Sequence, residues 1–455
     1  KGDSFSLESF LNASVSIESR ESKSISIESF RNNLNKLSKM IVKKFSLLDY
    51  AVFVGLLIAS SFIGIFFAYR SRASASHFLT GNRKLTIFPV TLSLVASFMS
   101  TNTLLGVPAE VFQVGTQYVL QSCSITLIIF IAANVFLPVY YDLKIVSVNE
   151  YLRKRFDSKY VKMAGSIGFL VATMPYMAVV LYGPATALSS VTPLSIPTSI
   201  LVVGVICTFY TSIGGIKAVI WTDVLQCILM FLGVAIVITQ GLIEIGGFKR
   251  AFEILEEGGR FKLLNYEFNI YHHDNMWNVL MGSLVSWGAC YCVSQTQVQR
   301  YCSMKSELFA RKTLYYNLPG LVLLAVMAIM SGVVIYGKYH DCDPVTLGLI
   351  KRHDQLVPYF VMDTLSQYPG LPGLFVACVF SGSLSTLSSG FNALATVTWE
   401  DICKDKLHWA HHDDHRSLKA VRLLAFGYGL IAIGMSFGVG SLGTVMQASC
   451  LCLGQ

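Results

Sequence analysis

Charge is scarce in this sequence. Asp, Glu, Lys and Arg supply 14% of its 455 residues, against 53% apolar. That shortage excludes an ordinary soluble enzyme and marks an all-α polytopic membrane protein. No nucleophile–base pair or phosphate-cradling loop is present either, so catalysis is not expected. The 11 cysteines include no CxxC pair, and Cys290/Cys292 and Cys450/Cys452 lie in apolar stretches where inert packing is the default. Nothing in the sequence resembles a cleavable signal peptide. The first apolar span is too long for an h-region and follows a polar stretch of roughly 45 residues.

The apolar sequence divides into spans. They run Tyr50–Tyr69, Thr86–Ala109, Tyr118–Tyr141, Met163–Thr192 and Ile196–Ser212, then Ala218–Ile243, Met276–Val298, Tyr315–Tyr336, Leu371–Trp399 and Leu418–Val439. An eleventh begins at Ser441 and is read as truncated at Gln455, and the first residue is Lys1, not Met. Alternate loops are basic, for example Arg70 to Lys84, Lys144 to Lys162, Arg300 to Lys312 and Lys404 to Lys419. By the positive-inside rule these are cytoplasmic, which puts the N-terminus outside. Lys36, Lys39, Lys43 and Lys44 oppose this, but the later loops agree with one another. The net charge of +8 is largely this loop bias, so no nucleic-acid partner is expected.

Residues 1–45 repeat Ser-Leu/Ile-Glu-Ser and are too polar to bury a core, so they read as a disordered tail ahead of a membrane domain over 46–455. Asn12-Ala-Ser14 is a glycosylation sequon, usable only if this tail is extracellular. His408, His411, His412 and His415 beside Asp413 and Asp414 read as a solvated loop. No defined ligand spacing supports zinc there.

The ninth span holds hydroxyls and glycines at its middle. Ser381, Ser385, Ser388 and Asn392 share one helical stripe, flanked by the small residues Gly382, Thr386, Ser389 and Ala393. Tight helix packing explains such a stripe, and so does a small hard cation that uses the oxygens. The second span stacks Ser100, Thr101, Asn102 and Thr103 ahead of Gly106 and Pro108, which predicts an interruption near mid-membrane. Freed carbonyls there suit a cation, and the next half-helix N-terminus suits an anion. The seventh span, Trp287 to Arg300, looks interrupted in the same way. Spans two and seven are five apart, as in five helices followed by an inverted copy, with the first span an addition. Asp223 opens the sixth span, where it stabilises a helix start or serves as a carboxylate on an ion's exit route.

These residues resemble the sodium–solute symporter family, and its monocarboxylate branch in particular. The resemblance rests on the second span with Val107-Pro-Ala-Glu110, Trp221 to Gln226, Gln295 to Tyr301 and Ser383 to Asn392. It implies a LeuT-like five-plus-five inverted-repeat core with one extra N-terminal helix, working by alternating access. It implies Na+ as coupling ion, held between spans two and nine by the backbone oxygens of Ala96, Met99 and Gly382 and the hydroxyls of Ser385 and Thr386. Asp223 matches the cytoplasmic sodium route. Met99, Thr103, Val107, Gln121, Trp287, Tyr291 and Gln295 match positions lining a substrate pocket, although Thr103 stands where other branches carry Gln.

No span carries Lys or Arg near its centre, so a bound carboxylate must be met by sodium, half-helix amides and hydroxyls. Tenfold sodium asymmetry supplies only about 1.4 kcal/mol per ion, so strong accumulation of a monoanion needs a second sodium. The expected function is sodium-coupled symport of a small organic anion across the plasma membrane. The alternatives are a vitamin, iodide or sugar substrate on the same fold, or a transport-inactive sensor.

Overall fold

The computed structural model describes residues 45–70, 74–261, 264–266, 275–407, 409 and 412–439. The Ser-rich segment with Asn12, the eleventh apolar stretch with Cys450 and Cys452, and His408 and His411 lie outside the described residues. Described regular structure is helical apart from one isolated bridge between Leu85 and Met304.

The first span is α1, Leu47–Arg70, followed by the short α2, Ala75–Thr80. The second is split into α3, Ile87–Phe98, and α4, Asn102–Gln113, at 54° to each other. Then come α5, Thr116–Asp142, the short α6, Asn149–Phe156, α7, Lys159–Val191, and α8, Ile196–Ile245, with the short α9, Phe248–Glu257, after them. The seventh span is also split, into α10, Met276–Val293, and α11, Gln295–Cys302. The chain continues through α12, Glu307–Tyr339, the short α13, Leu356–Leu365, α14, Leu371–Cys403, and α15, Asp414–Val439.

Both expected interruptions are present. Met99 leaves the helix at φ −88°, ψ 79°, where the following Ser, Thr and Asn side chains compete with the backbone ladder. Pro108 falls where the π-helical turn Asn102–Gly106 passes into regular α-helix. In the seventh span Ser294 adopts φ −70°, ψ 129°, so the span expected to run to Val298 stops at Val293 and restarts. Spans five and six differ from expectation. They join at one residue rather than through a short basic loop: Gly215, at φ 65°, ψ −169°, divides α8. Unbroken, this 50-residue helix would be about 75 Å long, far beyond a hydrocarbon core of roughly 30 Å. A Cβ at Gly215 would lie 2.7 Å from the Phe78 ring. Gly215→Val is therefore expected to lower stability by about 1–3 kcal/mol from backbone strain alone, with the clash added, read as a lower unfolding temperature in detergent.

α14 is the buried axis, packed against α1, α3, α7, α8 and α15. Its side chains are buried almost without interruption from Pro372 to Trp399. Small residues make this possible. Gly390 lets the Met177 sulfur sit where a Cβ would stand, and Gly233 of α8 receives Cys378 in the same way. One apolar cluster surrounds α14 through Phe380, Leu384 and Leu387, and a second contains Val95 and Ala96 of α3 and Met99 just after it. The two meet at the break in span two. On the outside, Phe62, Phe130, Val171, Val285 and Leu423 remain exposed, as side chains facing lipid do.

Candidate functional site

The carbonyls freed where α3 ends point at α14. Ser385 Oγ donates to Ala96 O at 2.7 Å and lies 3.2 Å from Gly382 O. Thr386 Oγ1 lies 3.2 Å from Ser97 O and 3.0 Å from Gly382 O. Met99 O packs against Gly382 so closely that a Cβ there would be 2.9 Å away. The structure thus gathers Ala96, Met99, Gly382, Ser385 and Thr386 in one patch and adds Ser97 O to it. Every group in it is a neutral oxygen. Such a set suits a hard monovalent cation, because rotating two hydroxyl protons outward turns their lone pairs inward.

Beside this patch is a cavity of about 430 Å³. Thr386 and Ser389 of α14 and Ser97 of α3 form part of its wall, so the oxygen patch and the cavity share a boundary. Of the expected lining residues, Thr103, Gln121 and Trp287 are on the wall. Four are not. The Met99 side chain is 1% exposed and packs in the cluster with Val95, leaving only its carbonyl toward the site. Val107 packs with Val111, Ala328 and Val333. Tyr291 lies in the π-helical turn Ala289–Val293, which takes its ring onto Phe98, centroids 4.2 Å apart, and its hydroxyl to Asn317 Nδ2 at 2.5 Å. Gln295 faces the α5–α6 loop, with Nε2 donating to Val146 O and Oε1 accepting from Val148 N, each at 2.8 Å. The wall gains Asn102, Tyr176 and Gln297, which the sequence had not singled out as lining. Among its lining residues Glu110 is the one acidic side chain, and there is no Lys or Arg.

Arg300 corrects the sequence reading most sharply. Counted there as a loop cation, it is instead 2% exposed on α11, just behind the cavity floor. Its guanidinium reaches Asp223 Oδ2 at 3.0 Å, Ser97 Oγ at 2.6 Å, Gln297 Oε1 at 3.2 Å, and Ser389 Oγ. Asp223 is fully buried and also accepts from Ser93 Oγ at 2.5 Å. It therefore does more than stabilise a helix start. Its Oδ1 has no hydrogen-bond partner among the described residues. A buried Asp223 demands a counter-ion, but its burial is evident only in the fold, so the sequence alone carried no signal for Arg300.

Below the cavity a polar seam joins the half-helix α11 to its neighbours. Gln299 Nε2 donates to Leu79 O at 2.7 Å and Thr396 Oγ1 at 3.0 Å. The loop held by Gln295 continues to Asp401 of α14, whose Oδ2 accepts from Ser147 Oγ at 2.6 Å and Ser166 Oγ at 2.7 Å. Lys162 neutralises Asp401 at 3.1 Å.

Comparison with known proteins accords with this architecture. Residues 78–447 match the model of the sodium:solute symporter family. The chain is 42% identical over 412 residues to sodium-coupled monocarboxylate transporter 2 of Mus musculus, covering 90% of this chain and 66% of that protein. It is 42% identical over 404 residues to sodium-coupled monocarboxylate transporter 1 of Homo sapiens, covering 88% and 66%. It is also 40% identical over 414 residues to the sodium-dependent multivitamin transporter of Oryctolagus cuniculus, covering 90% and 65%. The chain thus spans just under two thirds of the length of these relatives. Among solved structures, a Na+-coupled sialic acid symporter in a substrate-bound, outward-open state superposes with a TM-score of 0.82 at 21% identity, over 90% of this chain and 87% of that one. With that shared LeuT-like fold and the matched family model, the chain is a multi-pass membrane protein that belongs to the sodium:solute symporter family.

Proposed function

We propose that this protein couples sodium entry to uptake of a small organic anion of the monocarboxylate type across the plasma membrane, by alternating access. One observation carries the reading: Ser385 and Thr386 of α14 meet the carbonyls freed at the break after α3, on the edge of the cavity. Sodium held there would join the two halves of the fold and supply positive charge to a wall without Lys or Arg. The hydroxyls and amides of Thr103, Asn102 and Gln121 would orient the solute. Asp223, with a free carboxylate oxygen, would receive sodium on its way inward. The lysines and arginines of the loops favour an extracellular N-terminus, with Gln117 and Tyr118 at the cavity's outer end and the Arg300 layer at its inner end. The 1–45 tail and 46–455 membrane domain belong to this same proposal.

The test is uptake of labelled lactate or butyrate in transfected cells, with sodium replaced by choline. Sodium-dependent uptake is expected, and its absence for every solute tried would leave a sensor on the same fold. One observation favours a second substrate class. The 430 Å³ cavity falls within the roughly 300–1,000 Å³ typical of larger organic ligands, and the rabbit relative is named a multivitamin transporter. Competition of lactate uptake by a vitamin carboxylate separates the two.

A further inference from the structure

α14 must present its oxygens to α3 in exact register, yet it starts without a cap of its own. Its N-cap is Gly370, at φ 97°, and no local side chain bonds its first amides. Uncapped helix starts leave several N–H groups unsatisfied. Here the missing acceptor comes from more than three hundred residues away. Asp49, in the first turn of α1, is 2% exposed, and its Oδ1 accepts from Gly370 N at 2.8 Å and Gly373 N at 3.0 Å. Its Oδ2 accepts from Ser46 N at 2.8 Å, so one carboxylate ties two helix starts together.

We propose that Asp49 is a positioning residue for the sodium patch, acting through α14. The inference rests on the sodium reading above and gives the first span, which the sequence treats as an addition, a part in ion binding. Two further contacts support it. Gly373 lies against the Asp49 backbone so closely that a Cβ would stand 2.4 Å from Asp49 O. Seven residues on, Phe380 meets Phe53 of α1 edge-on, ring centroids 4.7 Å apart. α1 therefore holds α14 at its outer end and again two residues before Gly382. From Gly373 to Ser385 is about 18 Å along a helix, and the two contacts restrain sliding and tilting of that segment. The carboxylate also complements the positive end of the α14 dipole.

The experiment is sodium-dependent thermal unfolding of the full-length purified protein, titrating sodium against choline at constant ionic strength. Asp49→Ala is expected to raise the sodium concentration giving half the stabilisation roughly tenfold, the size of effect that loss of a helix cap converts to. Asp49→Asn keeps an acceptor for both glycine amides but loses the one for Ser46 N and the charge, so its midpoint should fall between wild type and Asp49→Ala. If Asp49→Ala lowers the unfolding temperature in choline but leaves the sodium midpoint where it was, Asp49 is only structural and the inference fails. Should that variant not accumulate, Gly373→Ala pushes the helices apart with the carboxylate intact. Its midpoint must also rise, and an unchanged value overturns the inference. A wild-type protein that sodium does not stabilise at all removes the sodium patch itself, and this inference with it, an outcome distinct from either variant's behaviour.

Discussion

Arg300→Ala is expected to be the most damaging single substitution in the membrane core. It strips Asp223 of its cation and removes a donor from Ser97, Ser389 and Gln297 at once. Breaking a buried pair from one side typically costs about 3–5 kcal/mol, because the remaining charge stays in a low-dielectric setting. Most of a marginal stability of roughly 5–15 kcal/mol can be consumed that way. Surface expression and the unfolding temperature in detergent should both fall steeply. Arg300→Lys should rescue poorly, since a single ammonium cannot reproduce a planar fork that reaches several partners. The cycle with Asp223→Asn decides the cause. The double variant should be clearly more stable than the sum of the two single losses predicts, and strict additivity would mean the pair does not interact.

Thr386→Ala is expected to leave the fold largely intact and change the ion dependence. The hydroxyl lies between Ser97 O and Gly382 O on the cavity edge. Its removal deletes one oxygen from the proposed sodium patch while α14 keeps its packing. Losing one ligand to a hard cation should raise the half-saturating sodium concentration by about tenfold or more, equivalent to roughly 1.4 kcal/mol. Thr386→Ser keeps the oxygen and should remain near wild type. Sodium-activation curves of uptake, normalised to surface protein, make the measurement. An unchanged sodium midpoint in Thr386→Ala would remove the assignment of this residue, whatever the maximal rate does.

Much of this architecture can be read from local chemistry. The break after Met99 follows from four consecutive weak helix formers, and the one at Ser294 from a similar polar run. The hydroxyl stripe of α14 follows from helical spacing alone. What escaped were features set by distant partners. Tyr291 and Gln295 were expected at the cavity, but a π-helical turn and a backbone break re-aim them, and neither shift has a periodic signature. Arg300 reads as a loop cation because charge next to a polar run normally ends a span. Only the position of Asp223 on another helix reveals that it turns inward. Gly215 likewise gave no warning that two spans would share a single joint, since a positive φ is a matter of backbone path, not of composition. The proposed role of Asp49 is invisible for the same reason: its carboxylate and the amides that donate to it are adjacent only after the first and ninth spans have packed.

Beside the buried Arg300–Asp223 pair, α11 is joined to its neighbours by the side-chain amides of Gln295 and Gln299. Neutral amides exchange a peptide carbonyl for water at little net free energy, about 0.5–1.5 kcal/mol per bond, and salt hardly affects them. Contacts of that kind part and re-form at small cost. A change in ionic strength should therefore leave these amide contacts almost untouched, whereas it weakens an exposed ion pair.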